Sequence, residues 1–161
     1  MANPPRFRDA LVALTEHGVD FVVVGGVAAV LAGAPVSTFD LDFVHDRDET
    51  NVTRLLAALT ALDARYRDPA GGVLRPSASD MEGPGHHLLD TLAGPLDVLG
   101  TMIGGRDYHT LVGHAEEVSL GQARIRVLGL RELITVKAEL GRDKDLAVLA
   151  TLRRTLAERG S

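Results

Sequence analysis

The chain has 161 residues, 45% of them hydrophobic, with a formal net charge of −5 and no cysteine. That length suits one domain, expected to span residues 1–161 and to bury roughly 68–70% of the surface its unfolded chain exposes. Disulfides, thiolate zinc sites and cysteine nucleophiles are excluded, and the acidic balance argues against a dedicated nucleic-acid binder, which carries a basic stripe.

Phe7, Leu11 and Leu14 predict an amphipathic first helix ending near Gly18. Phe21-Val22-Val23-Val24 reads as a buried strand, Gly25-Gly26 as a turn, and Val27 to Leu31 as a helix. Pro35-Val36-Ser37-Thr38 breaks the chain before a second strand over Phe39 to His45. A helix is expected from Asp48 to about Leu62, with acidic residues in its first turn as the helix dipole favours. Asp68 to Gly85 is rich in Gly, Pro and Ser and reads as a loop around strand fragments. His87-Leu88-Leu89 and Leu96 to Leu99 follow as strands about a turn at Ala93-Gly94-Pro95. Arg124 to Leu128 alternates apolar and charged residues, so it is a strand with one exposed face. Helices near Leu130–Leu140 and Asp143–Arg159 close the chain, the second with a stripe of Leu146, Leu149, Leu152 and Leu156. The expected class is α/β in the α+β sense, a small mixed sheet flanked by helices.

Met1-Ala2-Asn3-Pro4-Pro5-Arg6 lacks an apolar signal region. The longest uncharged stretch, Phe21 to Val36, is interrupted by Gly25-Gly26 and Pro35 and is too short to span a bilayer. A soluble, cytoplasmic protein without a membrane partner is expected.

The chemistry sits in Phe39-Asp40-Leu41-Asp42-Phe43. Alternation on a strand turns Asp40 and Asp42 to one side and Phe39, Leu41 and Phe43 to the core. Two carboxylates at roughly 6 Å and an effective dielectric near 20 repel by about 3 kcal/mol. A cation relieves that repulsion, and magnesium (or manganese) suits hard oxygen ligands shared with substrate phosphates. Asp97, in the apolar run Pro95 to Leu99, completes a two-metal site if it lies beside Asp42. Gly25-Gly26, between a buried strand and a helix, offers backbone N–H groups to an anion. Ser37 and Thr38 either donate hydroxyls to phosphate or terminate the turn. Of fifteen Arg and two Lys, the lysines Lys137 and Lys144 fall in one short segment. No histidine shows metal-ligand spacing.

Gly25-Gly26 followed by Pro35-Val36-Ser37-Thr38-Phe39-Asp40-Leu41-Asp42 resembles the signature of the polymerase-beta-like nucleotidyltransferase superfamily. Leu96-Asp97-Val98-Leu99, Ile125 to Leu128, Glu132 to Lys137 and Gly141 to Leu146 are similar to its abortive-infection branch, which includes toxins of type IV toxin–antitoxin systems. The resemblance covers about Phe21 to Leu152 and implies a minimal nucleotidyltransferase fold.

It further implies that Asp40, Asp42 and Asp97 hold the metal. An acceptor hydroxyl on RNA, a protein or a small molecule then attacks the α-phosphate of a nucleoside triphosphate. Lys137 matches a lysine that reaches the nucleotide phosphates, and Asp145 a further acidic position. Many relatives carry Arg where this chain has Val36. That departure keeps open a non-catalytic antitoxin or regulatory protein with a partner protein.

Overall fold

The computed structural model describes residues 5–160; the leader-free reading of Met1 to Pro4 lies outside the described residues. The elements in chain order are α1 (Phe7–Glu16), β1 (Phe21–Val24), α2 (Gly25–Leu31), β2 (Leu41–His45), α3 (Glu49–Ala61) and β3 (Arg65–Tyr66). Then come α4 (Ala78–Glu82), β4 (His86–Thr91), β5 (Gly94–Leu99), α5 (Tyr108–Val112), β6 (Ala115–Leu120), β7 (Ala123–Leu128), α6 (Leu130–Leu140) and α7 (Asp143–Arg159). A 3-10 turn, Ile103–Gly105, precedes α5.

Among the described residues, seven strands form one mixed sheet in the order β3-β4-β5-β2-β1-β7-β6. β1 runs antiparallel to β2 and parallel to β7, and β2 runs parallel to β5. The outer pairs β4–β5, β3–β4 and β6–β7 are antiparallel. All four residues of β1 are buried, so it is covered on both faces. That is why its sequence is a continuous apolar run instead of an alternating one. α2 packs on β1, β2 and β7 and touches α6, which pairs with α7; α1 packs on α3 and β7. Val22, Val23, Leu41, Phe43, Leu55, Leu96 and Leu111 lie in one contiguous core. Among the described residues, no helix is long and apolar enough to cross a membrane.

Several expectations shift. Phe39 is 75% exposed instead of buried. The strand begins only at Leu41, so its alternation does not reach back to Phe39. In the last helix Leu149 and Leu152 are buried, whereas Leu146 is 51% exposed. The stretch read as a loop from Asp68 to Gly85 contains α4, whose Ser77 and Asp80 form a reciprocal capping box and whose Met81 is buried. β4 and β5 run to within two residues of each other, so the turn is Leu92-Ala93 and not Ala93 to Pro95. α5, capped by Asp107, and the edge strand β6 add to the elements read from sequence.

Candidate functional site

Parallel pairing of β2 with β5 sets Asp42 opposite Asp97, as the register places Leu41 against Leu96 and Phe43 against Val98. Side chains opposite each other on neighbouring strands share a face, at a strand spacing of about 4.8 Å. Leu41 and Phe43 on β2, and Leu96 and Val98 on β5, are buried, which turns the two carboxylates to the other side. Asp40, just before β2, joins them. Each of Asp40, Asp42 and Asp97 offers an oxygen, and the three atoms lie within 4.8 Å of one another.

Burial pushes the Asp42 carboxyl up to about 8, with the negative charge of Asp97 as the next cause; a hydrogen bond with Asp97 and the charge of Asp40 add to it, and Lys137 opposes it. Asp42 Oδ1 is buried without a hydrogen-bond partner. An orphaned oxygen of this kind, among three hard donors, fits a divalent cation such as magnesium or manganese.

Gly25 adopts φ +67°, the left-handed region that favours glycine. A Cβ there would lie 2.4 Å from Asp42 Oδ2, and one at Gly26 would lie 2.6 Å from Thr38 Oγ1. The two glycines therefore leave room for the protein's own Asp42 and Thr38 side chains. Gly25 is already the first residue of α2, so the helix starts two residues before Val27. Thr38 Oγ1 donates to the Asp40 carbonyl at 3.1 Å, which closes the turn leading into the carboxylates.

Basic groups of the α6–α7 pair line the same cavity as the acidic trio. Gly141, at φ +61°, ends α6 and reverses the chain into α7. Asp145 on α7 is fully buried, and its Oδ1 accepts from Lys137 Nζ at 3.0 Å and from Arg142 Nη2 at 3.1 Å. Arg142 Nε donates to the other oxygen. The Arg142 hydrogen bonds, followed by the Lys137 bond, depress the Asp145 carboxyl to about 2. Arg142, Lys137 and Lys144 all line a cavity of about 580 Å³ together with Asp40, Asp42 and Asp97.

Of the sequence-derived candidates, Gly25, Ser37, Thr38, Asp40, Asp42, Asp97 and Lys137 line this one cavity, and Gly26 lines an adjoining one of about 100 Å³. Phe39, Leu88 and Ile103 form an apolar part of the lining. A cavity of about 360 Å³ between the start of β6, the start of α6 and the end of α7 holds none of the candidates.

Two residues escape sequence reasoning. Arg67 Nη2 donates to Asp97 Oδ1 at 2.7 Å, yet it follows a two-residue strand too short to show periodicity. Arg142 lies between the last two helices expected from sequence, and the structure adds it to the basic lining of the cavity. The visible clue is the density of alternating charges in Arg142-Asp143-Lys144-Asp145.

No family model matches the chain, and no curated protein matches it. Among solved structures, it is similar to a Thermotoga maritima protein described as "a putative nucleotidyltransferase". The identity is 20% over 94% of this chain and 91% of that one, with a TM-score of 0.56. A likeness at that identity speaks for the fold alone, which is nucleotidyltransferase-like.

Proposed function

We propose that the chain is a metal-dependent nucleotidyltransferase, moving a nucleoside monophosphate from a nucleoside triphosphate to an acceptor hydroxyl. One observation carries this: an acidic trio with an unpartnered buried oxygen lines a single cavity together with Lys137, Arg142 and Lys144. Carboxylates alone would repel a triphosphate, and cations alone would not gather a divalent ion. Both in one cavity suit a metal–triphosphate complex, which carries a cation and phosphate charge together.

Asp40, Asp42 and Asp97 would hold magnesium or manganese, which when bound neutralises charge on the phosphate oxygens. Lys137, Arg142 and Lys144 bind the remaining phosphate charge. Asp145 fixes two of these cations through the hydrogen bonds already described. Asp97 helps to activate the acceptor hydroxyl by drawing off its proton. The freed hydroxyl oxygen bonds to the α-phosphorus, and the bond to the pyrophosphate oxygen breaks in line. Phe39, Leu88 and Ile103 supply apolar surface for a base or acceptor.

RNA, a protein hydroxyl or a small molecule would serve as acceptor. The motifs from Leu96 to Leu146 support an abortive-infection type of enzyme within a toxin–antitoxin pair.

Thermal melting with magnesium and each of the four common triphosphates tests nucleotide binding. One of them should raise the melting temperature, and Asp42→Asn should abolish the gain. Transfer of label from the α-phosphate to a component of cell extract then demonstrates the reaction. No stabilisation by any triphosphate, with magnesium or manganese, would overturn the proposal.

A further inference from the structure

Arg67 follows β3, and its backbone N–H donates to the Leu88 carbonyl at 3.1 Å, which fixes the root of the side chain. From there the guanidinium reaches two carboxylates. Nη2 lies 2.7 Å from Asp97 Oδ1, and Nε lies 3.4 Å from Asp90 Oδ1. The Asp97 side chain is 16% exposed and that of Asp90 is 53% exposed. One partner belongs to the cavity, and the other stands in solvent.

A guanidinium does not lose its charge at any ordinary pH. It therefore repels a divalent ion arriving at Asp97 and occupies one of that carboxylate's two oxygens. Asp90 offers the displaced guanidinium a second carboxylate within reach, so leaving Asp97 does not leave Arg67 unpaired. We infer that Arg67 is an exchange partner for Asp97, holding its carboxylate until a divalent cation takes it and then resting on Asp90. This builds on the proposal above that Asp97 is a cation ligand.

Manganese alone is the probe, with free ion followed by electron paramagnetic resonance. If the guanidinium occupies Asp97 in about nine of ten metal-free molecules, Arg67→Gln should bind manganese about tenfold more tightly than the wild type. The gain should vanish in the Arg67→Gln, Asp97→Asn double variant, because Arg67 acts through that carboxylate. Asp90→Asn, at an exposed position that leaves Arg67 intact, should weaken manganese binding by leaving Asp97 as the guanidinium's remaining partner. Equal affinity in wild type and Arg67→Gln, or a gain that survives Asp97→Asn, would overturn this inference and leave the metal site standing. Manganese bound by neither protein would overturn both.

Discussion

Asp42 and Asp97 are register partners across the parallel strands β2 and β5, so the closeness of their carboxylates is fixed by backbone pairing and not by side-chain choice. A slip of one residue would turn either side chain to the opposite face. Each neighbouring apolar residue sent into the core acts against that slip, which ties the geometry of the site to the stability of the sheet.

Without metal, the folded protein should lose stability as pH rises toward 8. The Asp42 carboxyl titrates at about 8 in the folded chain, against 3.8 for the ordinary group. Between those values the folded state holds more protons than the unfolded one, so stability falls as pH rises through the window. Melting curves in chelator from pH 5 to pH 8 should show the decline, and Asp42→Asn should flatten it while raising the melting temperature at pH 8.

Metal uptake should displace the Asp42 proton. Below pH 8 the affinity for magnesium or manganese should fall by about tenfold per pH unit, for one proton released. Calorimetry in buffers of different ionisation enthalpy measures that proton directly. An affinity unchanged between pH 6 and pH 8 would mean that Asp42 does not hold the ion.

At Asp145 the sign is reversed. Its carboxyl is depressed to about 2, so its stabilising contribution is complete above 3.8 and disappears as pH falls toward 2. Asp145→Asn should cost about 3 kcal/mol, the low end for breaking a buried pair, because Arg142 keeps half its side chain in solvent. Urea unfolding at pH 7 gives the loss, which should shrink below pH 3. Triphosphate affinity should fall as well, since Lys137 and Arg142 lose their anchor.

Gly25→Ala tests the close approach to Asp42. The left-handed backbone alone disfavours the new side chain by about 1–2 kcal/mol. A Cβ at 2.4 Å from Asp42 Oδ2 also forces that carboxylate to move. Manganese binding should be lost while far-ultraviolet circular dichroism keeps its native shape.

The carboxylates are legible in sequence because local rules identify them. Asp40 and Asp42 stand at alternating spacing beside buried residues, and Asp97 interrupts an apolar run. Local rules also reveal β1, β2, β7 and the long helices, whose apolar patterns repeat with the period of the element. Phe39 shows where they stop, since alternation says nothing about where a strand begins. The pairing of Asp97 with Arg67 lies beyond them too. It joins residues thirty positions apart, and strand order is decided by contacts that no short window contains. α4 is an intermediate case: the Ser77-Ala78-Ser79-Asp80 spacing carries its cap in plain view, but the flanking Gly and Pro mask it.

Arg106 joins the 3-10 turn to α6. Its guanidinium grips both oxygens of Glu139 at 2.7 Å, one oxygen of Glu132 at 3.1 Å and the Ile103 carbonyl at 2.8 Å. Lys137 sits between those two glutamates in the same helix, and Ile103 lines the same cavity. This strut ties the turn that carries Ile103 to the helix that carries Lys137, so two parts of the cavity lining are held apart by one side chain's length.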